Sequence, residues 1–112
     1  MSGGFRLSPA ADAQIDSIYS YTRNRWGDAQ AEAYLRELLA CFEGIAEGRT
    51  PGRPIPDAYG VQGHHVRCGK HFIYWKTLND GSIGIAEILH ERMNLGDRLA
   101  ASASLNRPGD RV

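Results

Sequence analysis

Residues 8–46 read as two amphipathic helices separated by only Gly27 and a capping residue, and this constrains the fold more than any other feature. Ser8 followed by Pro9 opens the first helix. A serine hydroxyl accepts from free first-turn amides, and proline is already set for the first helical position. Asp12 adds negative charge near the positive end of the helix dipole. Ala11, Ile15, Ile18 and Thr22 recur at helical spacing, which predicts a helix over about residues 9–25. Gly27 suits a left-handed break. Asp28 is placed to cap the second helix, and Ala31, Leu35, Leu38, Phe42 and Ile45 form its core stripe, with Gly48 as its end. With so little chain between them, the helices must fold back as a hairpin.

The next stretch, residues 47–63, is dense in glycine and proline and reads as a loop. Strand signals follow. "HHVRC" leads into Gly69-Lys70, where glycine suits a tight hairpin turn, and "HFIYWKT" is rich in aromatic and β-branched residues. Asp80-Gly81 is the strongest hairpin signal in the chain. "SIGIAEILH" then predicts a strand with Ile83, Ile85, Glu87 and Leu89 on one face and Gly84, Ala86, Ile88 and His90 on the other. Apolar residues on both faces place this strand inside the sheet. A short helix from Leu95 to about Ala103 and a flexible tail over about residues 103–112 complete the reading. The expectation is one domain over 1–112, of α+β class. "FRL" supplies a short N-terminal strand, and the two-helix hairpin packs on a small antiparallel sheet.

Composition narrows the function. Thirteen Lys and Arg balance thirteen Asp and Glu, so the net charge is zero. A protein that grips nucleic acid by its phosphates usually carries a basic excess, so direct nucleic-acid binding by the chain alone is not expected. The split is mild: six Arg face eight acids in residues 1–63, and seven Lys and Arg face five acids in 64–112. No apolar run is long enough to span a bilayer, and the start lacks the pattern of a secretion signal, so a cytoplasmic protein without membrane contact is expected. The two cysteines, Cys41 and Cys68, sit in apolar patterns and are expected to be free, reduced core thiols. No histidine pair has a further ligand at zinc spacing, so neither a metal nor another cofactor is expected.

The stretches "FRLSPAADAQIDSIYSYT", "RWGDAQAEAYLRELLACFEGIAEG", "GRP", "VRCGKHFIYWK" and "IAEILHERM" resemble the ParE branch of the RelE/ParE toxin superfamily. The likeness runs roughly from Phe5 to Leu99. Two departures stand out: Asn94 where Asp is common, and Tyr74-Trp75 where the branch has Phe-Tyr. The resemblance implies the toxin of a type II toxin–antitoxin module. It also implies DNA gyrase as target and a ParD-like, ribbon-helix-helix antitoxin as partner.

The other branch, RelE-like, cuts messenger RNA on the ribosome. Such chemistry needs a base, an acid and positive charge at the developing phosphorane. Arg67 and Arg92 align with two basic positions of that branch. The tyrosine expected after Arg92 and the lysines expected before Arg67 are missing, so "ILHERM" reads as strand end and docking surface with no catalytic residue. A messenger-RNA endonuclease and an inactive, antitoxin-binding relative remain as alternatives. Candidate antitoxin contacts are Trp26 at the tight bend, Tyr34 and Trp75. Candidate target contacts are Arg49 and Arg53 flanking Pro51-Gly52, together with Arg67 and Arg92.

Overall fold

The computed structural model describes residues 4–57 and 62–91. Its elements are β1 (Phe5–Leu7), α1 (Pro9–Trp26), α2 (Asp28–Ala46), β2 (Arg53–Pro54), β3 (His64–Cys68), β4 (His71–Thr77) and β5 (Ile83–His90). The helix hairpin packs on one face of a five-stranded sheet of order β1-β5-β4-β3-β2. The α+β class and the interior position of β5 agree with the sequence reading. Arg92, the short helix from Leu95 and the tail lie outside the described residues.

Local chemistry explains the hairpin. Ser8 Oγ accepts from Ala11 N at 3.0 Å and donates to the carbonyl of Ala86 at 2.7 Å, so one hydroxyl caps α1 and ties it to β5. Pro9 fills the first turn, Asp12 lies near the positive end of the dipole, and Arg23 and Arg25 lie near the negative end. Gly27, at φ 97°, makes the reversal without a Cβ penalty. It also stands at the cap position of α2. Asp28 is therefore the first helical residue, with no capping side-chain bond, and helps through its charge beside the dipole.

Four expectations about the sheet and its connections are corrected or refined. The sheet is mixed, because β1 runs parallel to β5 with Phe5 opposite Ile83 and Leu7 opposite Ile85. Both helices and the meander lie between these strands, ample chain for a parallel crossover. The stretch 47–63 contributes an edge strand, since Arg53 and Pro54 pair with His65 and His64. A two-residue edge carrying proline resists adding further strands. The Asp80-Gly81 signal does mark the second hairpin, but within a three-residue loop and not the two-residue loop that this dipeptide favours. Leu78 N bonds to Ser82 O, Gly81 N bonds to Leu78 O, and Gly81 takes φ 86°, the pattern of a three-residue loop with glycine in the left-handed position.

The fourth correction concerns β5. Strict alternation predicts Ile83, Ile85, Glu87 and Leu89 on one face. Instead Trp75 pairs with Ile85 while Tyr74 pairs with Glu87, so Ala86 is an extra residue in a β-bulge. Beyond it the faces exchange. Ile83, Ile85 and Ile88 all join Leu38, Phe42, Ile45, Ile73 and Trp75 under the helices. Leu89 joins Tyr74 and Ile55 on the opposite face. Phe42 is also met edge-on by Phe5, at 5.3 Å between ring centroids. Each large side chain buried here contributes about 1.5–3 kcal/mol.

Candidate functional site

The N-terminal end of α2 and the C-terminal end of α1 stand over the β3–β4 turn and the end of β5, leaving a groove of about 850 Å³. Its walls carry Tyr21 and Trp26 from α1, Tyr34 from α2, Lys70 and His71 from the turn, and His90 from β5. Tyr21 and Trp26 are the large apolar residues most open to solvent among the described residues, at 63% and 60% exposure. Both lie in the second half of α1, whose fully buried residue, Ala11, sits in its first turn. Arg25 stacks its guanidinium on the Trp26 ring, 5.6 Å from the centroid.

Tyr34 organises the deep end. Lys70 N donates to its hydroxyl oxygen at 3.0 Å, and the hydroxyl lies 2.6 Å from His71 Nδ1. Burial pushes the Tyr34 phenol up, so it keeps its proton. Burial pushes His71 down to about 4, His90 adds to the effect and Glu91 opposes it. At neutral pH His71 is therefore an uncharged ring. With the His71 proton on Nε2, Tyr34 O–H donates to Nδ1; with it on Nδ1, the ring donates to the hydroxyl, which then turns its own proton to the carbonyl of Cys68. The carbonyl of Cys68, 3.5 Å away, is a poorer acceptor for that single proton. His71 and His90 meet edge to face at 5.2 Å. Gly69, at φ 61°, lies under the Tyr34 ring, where an added Cβ would come within 2.8 Å of Cε1. Only glycine satisfies both the turn and this close approach.

The sequence-predicted residues separate. Trp26 and Tyr34 meet in the groove. Trp75 does not: it is 7% exposed and belongs to the core, with Gly52 packed against its ring. Arg49 is held by Glu47 at the end of α2, with a 2.6 Å ion pair. Arg53, paired across from His65, shares with Arg67 the face turned away from the helices. Arg67 forms an ion pair with Glu91, donates from Nε to the carbonyl of Gly69 at 3.1 Å and covers the Phe72 ring. His65 lies between the Phe72 and Tyr74 rings; burial first, then Arg53 and His64, lowers its proton affinity. No group of three or more metal-ligating side chains comes together among the described residues.

Sequence reasoning missed the groove's polar end. His71 reads as one of four scattered histidines, yet it alternates with Ile73 and Trp75 on the helix-facing side of β4, which was the available signal. The expectation of free thiols is corrected too. Cys41 and Cys68 form a disulfide. Cys41 faces the sheet from α2, Cys68 faces the helix from the end of β3, and their Cα atoms are 6.6 Å apart, within bridging range.

The fold is similar to a solved chain described as "Chromosomal ParDE TA system from P. aeruginosa", with a TM-score of 0.62 over 78% of this chain and 94% of that one, at 15% identity. In sequence, "Toxin ParE1" of Mycobacterium tuberculosis is 34% identical over 99 residues, 88% of this chain and all of that protein. "Toxin ParE1" of Caulobacter vibrioides is 38% identical over 80% of this chain and 91% of its own length. "Toxin ParE" of Escherichia coli is 31% identical over 84% and 90%. The family model for the ParE toxin of the type II toxin–antitoxin system parDE matches residues 5–95. The chain belongs to the ParE toxin family and is the toxin component of a toxin–antitoxin module.

Proposed function

We propose that this toxin inhibits DNA gyrase by binding it, and that a ParD-like, ribbon-helix-helix antitoxin silences it by laying an apolar segment in the groove. The observation that carries the reading is the exposure of Trp26 and Tyr21 beside a groove of about 850 Å³. Contiguous exposed apolar surface in a soluble domain marks an interaction site, and aromatic anchors dominate such contacts. Trp26 and Tyr34 are the antitoxin contacts. Arg49, Arg53, Arg67 and Arg92 are left for the target, in the cytoplasm where gyrase works. Zero net charge supports recognition of a protein surface over a phosphate backbone. Two features support binding over catalysis. The His71 ring is neutral and bonded to Tyr34, and the Arg67 guanidinium is engaged by Glu91 and Gly69. Among the described residues no helix is long and apolar enough to cross a membrane.

The test is a pair of assays on the purified chain: supercoiling by gyrase, and cleavage of messenger RNA on translating ribosomes. Inhibited supercoiling with intact RNA is expected. Cut RNA with unaffected gyrase would replace this reading by the endonuclease.

A further inference from the structure

The disulfide lies next to the groove, and its position gives it a role. Cys41 is seven residues beyond Tyr34 on α2, two helical turns along the same side. The two residues grip the same short segment, Cys68 to His71, at the β3–β4 turn. Cys41 holds Cys68 covalently, and Tyr34 bonds Lys70 N and His71 Nδ1 while its ring covers Gly69. Lys70 and His71 form a wall of the groove. With the disulfide closed the wall is fixed from two points. With it open, the covalent hold is gone and the turn is held against α2 by non-covalent contacts, chiefly the hydroxyl and ring of Tyr34.

Both states fit the site. Cys68 is 4% exposed, whereas Cys41 is half-buried, so Cys41 is the more open end of the bridge and the one an incoming thiolate would meet first. Cys68 Sγ lies 3.7 Å from the carbonyl of Glu37. In the disulfide it has no proton to donate, but as a free thiol it finds a ready acceptor there.

We propose that Cys41–Cys68 is a redox-controlled clamp on the groove, opened by a dithiol reductant, and that its opening weakens the seat of the groove's occupant. The thiolate of the dithiol attacks Cys41 Sγ, the S–S bond breaks, and Cys68 leaves as a thiolate that takes a proton from water. The second thiol of the reductant then attacks the mixed disulfide and releases Cys41. The reductant ends as a cyclic disulfide, two electrons having passed to the protein. Oxidised glutathione reverses the exchange. In a thiol-rich compartment a disulfide of this kind is transient and sensing rather than a permanent staple. The effect on the occupant rests on the reading of the groove as the antitoxin's seat. The clamp itself does not.

The experiment therefore has two arms on the full chain. In the first, the chain is equilibrated with oxidised glutathione or with dithiothreitol, alkylated to count thiols, and followed by amide hydrogen exchange. Two thiols are expected to appear only on reduction. Exchange should quicken at least tenfold in the peptide around Cys68 to Phe72, with α1 unchanged. Free thiols in the oxidised sample, no change at the turn, or equal quickening in α1 would overturn the clamp. In the second arm, the small protein encoded beside the toxin is titrated into both forms and into Cys41→Ser. The reduced chain and the variant should bind at least tenfold more weakly than the oxidised chain. Equal affinity overturns the coupling. Binding to neither form refutes the antitoxin reading, and the exchange result then decides the clamp alone.

Discussion

Replacing His71 by Gln should remove much of the chain's loss of stability on mild acidification. His71 is 9% exposed, and its pKa falls from an ordinary 6.5 to about 4 in the folded protein. Above pH 6.5 the ring is neutral whether the chain is folded or not, and the stability is fully present. Between 6.5 and 4 the unfolded chain binds a proton that the folded chain refuses. Stability therefore falls as pH falls, and the loss levels off once the folded ring also protonates. The gap of about 2.5 pH units at 1.36 kcal/mol each corresponds to about 3 kcal/mol. This is a large share of the 5–15 kcal/mol typical of a domain. Glutamine keeps an acceptor for the Tyr34 hydroxyl but does not titrate. Urea unfolding at pH 7.5 and pH 4.5 gives the comparison. The wild type should lose about 2–3 kcal/mol more than His71→Gln across that interval. His65, also lowered, acts in the same direction but is present in both chains. Equal losses in the two would refute the assignment of His71 as a buried neutral ring.

Gly52→Ala should destabilise the chain by about 1–3 kcal/mol, read as a lower urea midpoint, because the new Cβ would lie 2.0 Å from Cη2 of the buried Trp75. Leu38→Ala, at a fully buried core position, should cost about 2–5 kcal/mol in the same assay. Arg67→Ala should leave stability within about 1 kcal/mol, since the Arg67 side of its ion pair with Glu91 is exposed to solvent. The same substitution should weaken gyrase inhibition about thirtyfold, the loss of an interface hot spot worth about 2 kcal/mol.

The helix hairpin was legible in the sequence because its signals are local: Ser8-Pro9 opens it, Gly27 reverses it, and the stripes through Leu38 and Phe42 face one way. The tight turn at Gly69-Lys70 was legible for the same reason. What escaped depends on partners distant in sequence. The three-residue β1 finds its place only when β5 offers an edge. The bulge at Ala86 shifts the faces of β5, and the one glycine in the strand, Gly84, stands two residues before it and does not fix its place. Trp75 reads as an exposed aromatic anchor until Gly52 and the core close over it. The groove is lined jointly by α1, α2, the β3–β4 turn and the end of β5, a juxtaposition that no spacing within one element encodes. The disulfide required knowing that Cys41 and Cys68 face each other across the two layers.

Calorimetric titration of the small protein encoded beside the toxin into the wild-type chain and into Trp26→Ala decides whether the groove seats the antitoxin. Trp26 is exposed at the groove, so its truncation should leave the unfolding temperature within about 2 °C. Tight binding to the wild type is expected, with affinity at least about thirtyfold weaker for Trp26→Ala, a loss of about 2 kcal/mol or more. Equal affinity for both chains would contradict it, and would place the partner elsewhere on the molecule.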